Sequence, residues 1–95
     1  MESVALSRRA VKDLRRIGAG EDLDGIGRAL EVLASGAARL DVKPLRGQSP
    51  WHRLRVGDYR ILYRAVDQAE GTDASHLVAR MVHRRDLERA VSTLE

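Results

Sequence analysis

Residues 51–64 read WHRLRVGDYRILYR, from Trp51 to Arg64. Two alternating runs flank Gly57-Asp58, the turn chemistry that β-hairpins prefer. With those two residues as the turn, Val56 lies opposite Tyr59 and Arg55 opposite Arg60. Opposed residues share a face of the sheet, and side chains alternate along each strand. One face then carries His52, Leu54, Val56, Tyr59, Ile61, Tyr63 and Ala65, and the other carries Trp51, Arg53, Arg55, Arg60, Leu62 and Arg64. The first is apolar and backs onto a core. The second crowds four arginines onto the exposed side.

Working outward, Ser3 to Leu6 has the pattern of a short opening strand. Ser7 suits a helix N-cap, because its hydroxyl can accept from the first free amides. Ala10, Val11, Leu14 and Ile17 follow at helical spacing, and Gly18 with Gly20 ends the run. Leu23, Ile26, Leu30 and Leu33 mark a second helix closed by Ser35-Gly36, with Gly25 and Gly27 inside it at about 1 kcal/mol each relative to alanine. Asp13, Asp22 and Glu31 are expected on helix surfaces. Lys43-Pro44-Leu45-Arg46-Gly47 sits in a linker, and Asp67 to Ser75 forms a polar loop. From His76 to Arg84 the chain alternates again, with Leu77, Ala79 and Met81 on one side and His76, Val78, Arg80, Val82 and Arg84 on the other. Leu87, Val91 and Leu94 form the stripe of a short terminal helix laid on the sheet. The expected fold is α+β over residues 1–95 as one domain. Two N-terminal-half helices pack on one face of a small, mostly antiparallel sheet in the order β-α-α-β-β-β, followed by the short C-terminal helix. The other face stays open and rich in arginine.

Like charges opposed across a ladder destabilise it, by up to about 1 kcal/mol per pair. From Lys43 to Arg64 there are six Lys or Arg and one acid, Asp58, a local net of +5 against +3 for the whole chain. Such a surface points to an anionic ligand, with nucleic acid the first candidate. Fifteen of the seventeen basic residues are arginine, whose planar fork suits phosphate. With no phenylalanine and three aromatics in all, a base-stacking platform of the single-strand-binding kind is not expected. Trp51, at a strand start, is expected to pack on the sheet edge. The absence of cysteine removes disulfides, thiol nucleophiles and cysteine-zinc sites, and fits a reducing cytosol. No apolar run reaches the eighteen or so residues that a membrane span needs, and the N-terminus lacks the pattern of a secretory signal. The reading is therefore a cytoplasmic protein with no membrane segment, no metal site and no cofactor.

The element order, together with AVKDLRRI, KPLRG, WHRLRVGDYRILYRAVD and VARMVHRRDLERA, resembles the RelE/ParE superfamily of toxins from bacterial type II toxin–antitoxin modules. The resemblance runs almost the full length of the chain. For the RelE-like branch, which the retained arginines favour, it implies a ribosome-dependent endoribonuclease that cuts messenger RNA without metal. In that chemistry the RNA's own 2′-hydroxyl attacks the neighbouring phosphate. It also implies translation inhibition and a cognate antitoxin, expected to be an acidic chain. The ParE branch shares the fold and poisons DNA gyrase. A third reading is a degenerate member that binds antitoxin or RNA without toxicity.

Carried onto this chain, the ribonuclease pattern places basic residues at Arg53 and Arg55, Arg60 in GDYR, and Arg84 preceded by His83. Arg53, Arg60 and Arg84 suit stabilisation of a phosphorane-like transition state. Arginine stays protonated and makes a poor base, so His83, beside Arg84, is the candidate acid or base; His52 points toward the core. Arg55, Arg64 and Arg80 are expected to contact RNA, and Lys43 and Arg46 either do so or only solvate the linker. One departure stands out. Members of the ribonuclease branch often carry a tyrosine shortly after the late arginine, and here the position is about Glu88, with no tyrosine following Arg84.

Overall fold

The computed structural model describes residues 3–36, 39–67 and 73–94. Strand β1 (Ser3–Leu6) leads into α1 (Arg8–Ile17) and α2 (Glu21–Ala34). Strands β2 (Asp41–Pro44), β3 (His52–Val56), β4 (Tyr59–Ala65) and β5 (Ala74–His83) follow, then a 3₁₀ turn (Arg84–Asp86) and α3 (Leu87–Val91). They form one five-stranded sheet in the order β1-β5-β4-β3-β2, antiparallel throughout except for the parallel β1–β5 pair.

Ser7 starts α1 as its chemistry requires. Its Oγ accepts the Ala10 N–H at 3.0 Å and donates to the Ala79 carbonyl at 2.7 Å, so one hydroxyl caps the helix and seals the edge of β5 beyond the end of β1. Gly18, at φ 75°, closes the helix with its N–H on the Leu14 carbonyl. In the hairpin Gly57 has φ 57°, while among the described residues no non-glycine residue has positive φ. That combination belongs to a II′ turn with glycine first, and it sets Val56 against Tyr59 and Arg55 against Arg60.

The main core lies between the helix pair and the sheet. Ala10, Ile26, Ala29 and Leu33 meet Leu54, Ile61, Tyr63, Val78 and Met81, with Tyr59 partly buried at the margin. The glycines inside α2 do not owe their place to crowding: a Cβ on Gly27 would meet nothing within 4 Å, and one on Gly25 would touch Val56 at an ordinary 3.6 Å. Gly27→Ala should therefore raise stability by about 0.5–1 kcal/mol through helix propensity alone, read as a higher denaturation midpoint with unchanged slope.

Four expectations need correcting. Asp41–Pro44 is not linker but an edge strand paired with Arg55–His52, so the order is β-α-α-β-β-β-β-α. A four-residue strand ending in proline carries too little alternation to register as one. β5 begins at Ala74, inside the stretch expected as loop; residues 68–72 of that loop lie outside the described residues. It also carries a bulge. Leu62 pairs with Arg80 and Tyr63 with Val78, which leaves Ala79 as the extra residue and reverses the facing of everything before it. Val78 is therefore wholly buried in the main core, and Leu77 lies opposite Arg64. The strand itself ends at His83, with Arg84 in the 3₁₀ turn.

Third, the face opposite the helix pair is only partly open. α3 covers it over β4 and β5, where Leu62, Val82 and Ala90 are buried beneath Leu45, Leu87, Val91 and Leu94. Fourth, Asp13 is 4% exposed rather than on a helix surface. Its Oδ2 accepts the Met81 N–H at 2.9 Å and Arg80 Nε at 2.8 Å, and its Oδ1 lies 3.3 Å from Arg80 Nη2. Just past the end of β1, the bulged strand needs an acceptor on that edge, and α1 supplies a carboxylate.

Candidate functional site

The part of the second face that α3 leaves uncovered lies over β2, β3 and the turn end of β4. Register puts Asp41, Arg55 and Arg60 in one row and Lys43, Arg53 and Leu62 in the next. Lys43 on β2, Arg53 and Arg55 on β3 and Arg60 on β4 are thus held by strands rather than by loops. Asp41 bridges two of them, with Oδ1 3.4 Å from Arg53 Nη1 and Oδ2 3.7 Å from Arg55 Nη1. Arg60 folds back on the hairpin turn, its Nη1 donating to the Gly57 and Tyr59 carbonyls at 3.0 Å each.

Arg84 enters from the 3₁₀ turn after β5. Its N–H donates to the Asp58 carbonyl at 2.7 Å, which ties the end of β5 to the hairpin turn, and its Nε lies 3.9 Å from Asp58 Oδ1. Desolvation lowers the pKa of the Arg60 guanidinium from its usual value; the positive charges of Arg55, Arg53 and Arg84 push the same way, and Asp41 opposes them. Five cations (Lys43, Arg53, Arg55, Arg60 and Arg84) thus gather around two carboxylates, Asp41 and Asp58. An assembly of this kind can hold a phosphate through forked donors carried on paired strands.

The remaining expected site residues lie elsewhere. Arg64 shares the face but sits at the other end of β4, its guanidinium carbon 5.8 Å from the centre of the Trp51 ring. Trp51 is buried at 7% exposure, just ahead of β3, which is an interior strand and not the sheet edge. Arg80 has the parity of the arginine face, yet its guanidinium turns to Asp13 and to Thr93 Oγ1 at 3.3 Å. Arg46 is exposed in the loop between β2 and β3, which closes on itself through Leu45–Trp51 and Gln48 backbone bonds.

His83 pairs with Tyr59, in the row that faces the helix pair, and not with the arginines. Its Nδ1 accepts the Arg85 N–H at 3.2 Å, and its ring meets Tyr59 edge-on at 5.7 Å. His52 stacks on Tyr63 at 5.7 Å, toward the core as expected. Among the described residues no group of three or more His, Cys, Asp or Glu could hold a metal ion. Asp41 is what the sequence reading missed. It stands two residues before the charge cluster begins, and alternation from Lys43 would have placed it on the same face had β2 been recognised.

Residues 4–88 match the family described as the ParE toxin of the type II toxin–antitoxin system parDE. The chain belongs to the ParE toxin family. No curated protein matches it significantly. Among solved structures, the toxin–antitoxin complex RelBE2 from Mycobacterium tuberculosis is similar at 27% identity and TM-score 0.64, over 87% of this chain and 98% of that one. The RelB–RelE antitoxin–toxin complex from Methanococcus jannaschii matches at 21% identity and TM-score 0.65, over 90% and 95% of the two chains. The DinJ–YafQ complex from Escherichia coli matches at 16% and TM-score 0.68, over 92% and 98%. At those last two identities the likeness is one of fold. The ParE-family fold in this chain thus carries its basic residues where β2, β3 and the hairpin turn meet.

Proposed function

We propose that this toxin cuts messenger RNA on the ribosome, and that the arginine face is where the RNA phosphate lies. The observation that carries the reading is the gathering of Arg53, Arg55, Arg60 and Arg84 at one end of a rigid face, in excess of the acids beside them. Attack of a 2′-hydroxyl on the adjacent phosphate concentrates negative charge on the non-bridging oxygens. Preorganised guanidinium groups stabilise that charge more than they stabilise the ground state. Arg53, Arg60 and Arg84 are the residues we assign to this task. Arg55 and Lys43 extend the positive surface along the strand. Arg46, Arg64 and Arg80 would serve only a longer RNA footprint, because the first lies in a loop, the second beside Trp51 and the third on Asp13.

A cognate antitoxin, acidic by charge complementarity, is proposed to cover this face and silence it; the similar solved structures include toxin–antitoxin complexes. A cytoplasmic site of action belongs to the same proposal. Among the described residues no helix is long and apolar enough to cross a membrane.

A second reading is poisoning of DNA gyrase by binding. It is favoured by the match to the ParE family and by the lack of any tyrosine after Arg84. Expressing the chain alone in bacteria and mapping RNA ends within ribosomes separates the two. Cuts inside translated codons that vanish with Arg84→Ala support cleavage. Growth arrest with intact messages and an induced DNA-damage response would reject it for the second reading. Well-expressed, soluble protein without toxicity would leave a member that only binds antitoxin or RNA.

A further inference from the structure

Cleavage by internal attack needs a group that accepts the 2′-proton, and guanidinium groups do not serve. The three histidines do not reach the arginine face: His52 and His76 meet Tyr63, and His83 meets Tyr59, all on the side of the helix pair. Tyr59 and Tyr63 face the same way. Among the described residues two carboxylates remain near the arginines. Asp58 lies in the turn, beside Arg84 alone. Asp41 lies directly across from Arg55, with β3 between it and Arg60, and between the guanidinium groups of Arg53 and Arg55.

The way Asp41 is held matters. Its contacts, at 3.4 and 3.7 Å, are longer than the 2.7–2.9 Å or so of a strong charge-assisted bond. Its side chain is 47% exposed, on β2, the edge of the sheet among the described residues. A phosphate with closer, forked contacts would take over Arg53 and Arg55 and leave a carboxylate oxygen beside the ribose. The charged groups facing Asp41 are Lys43 on its own strand, Arg53 and Arg55 on β3, and Arg60 on β4. All are positive, and Asp41 is the one carboxylate among them.

We propose that Asp41 is the general base of this site. The assignment rests on the ribonuclease reading above. The 2′-hydroxyl proton passes to an Asp41 oxygen, and the electron pair left on the 2′-oxygen forms the new bond to phosphorus. The bond from phosphorus to the 5′-oxygen breaks, and its pair leaves on that oxygen, which takes a proton from water. The resulting hydroxide recovers the proton from Asp41. The products are a 2′,3′-cyclic phosphate and a 5′-hydroxyl end, and the enzyme is restored.

The test uses ribosomes programmed with one message in two forms, all-ribose and with a single 2′-deoxy nucleotide at the cut position. Asp41→Asn should lower the rate on the first by about 10²-fold or more. It should bind the second at least as tightly as wild type, because a negative charge beside the phosphate is gone. Asp41→Glu should recover part of the rate. If Asp41→Asn cuts at the wild-type rate, the inference fails and the ribonuclease reading stands. Parallel loss of binding and cleavage would overturn it too, in favour of a positioning role. A wild-type protein that cuts no RNA would sink the reading itself.

Discussion

Arg60→Ala is expected to abolish growth arrest and to slow cleavage of ribosome-bound message by about 10²- to 10³-fold, the usual effect of removing one preorganised transition-state donor. Arg60 is central to the face, opposed by Arg55 across the ladder and lowered in pKa by burial and by three neighbouring arginines. The same crowding makes the fold a separate matter. Removing Arg60 forfeits two bonds to turn carbonyls but relieves like-charge repulsion, so the variant should melt within a few degrees of wild type or above it. A variant that lost both activity and stability would mean that Arg60 is structural. Arg60→Lys keeps the charge without the fork and should recover only part of the rate. A lysine variant as active as wild type would show that charge alone suffices. Rising salt should weaken RNA binding more in wild type than in Arg60→Ala, because one phosphate contact fewer is screened.

The second large effect concerns Asp13. Truncating it leaves the half-buried Arg80 with only Thr93 and the Met81 N–H without its carboxylate acceptor. Breaking a buried pair in this way costs about 3–5 kcal/mol, a large part of the roughly 5–15 kcal/mol that holds a domain together. Asp13→Ala should therefore be barely folded at physiological temperature, with a denaturation midpoint far below wild type. Arg80→Met should be milder, because the carboxylate keeps the Met81 N–H and an aliphatic chain can still cover α3. In the double variant the combined loss should be smaller than the sum of the single losses, the mark of two groups acting on each other. A loss under about 1 kcal/mol in Asp13→Ala would show that water replaces the pair. The pair links α1, β5 and, through Thr93, the residues after α3, so partial unfolding should begin at the C-terminus.

The hairpin was legible because everything that sets it is local. A glycine that accepts positive φ, a two-residue turn and strict alternation together determine register, and with it which arginines share a face. Ser7 as a cap and the apolar spacing of α1 were legible for the same reason. β2 was not. Four residues ending in Pro44 have no pattern of their own, and their strand character comes from pairing with β3. The bulge at Ala79 was equally hidden, since alternation read from sequence assumes an unbroken pleat. That assumption puts Val78 on the wrong side, while Arg80, beyond the bulge, keeps its parity and is drawn off by Asp13.

What the sequence by itself determined was the hairpin, its two faces and the charge that one of them must carry, because these depend on side chains a few residues apart. Only the tertiary structure decided how that charge is balanced. Asp41 reaches Arg53 and Arg55 from a strand that forms only by pairing. Asp13, 67 residues away in the chain, removes Arg80. His83 is turned to the helix side by the register of β4 with β5. Each depends on contacts between distant segments, whose partners follow from the closure of the whole sheet and not from local pattern.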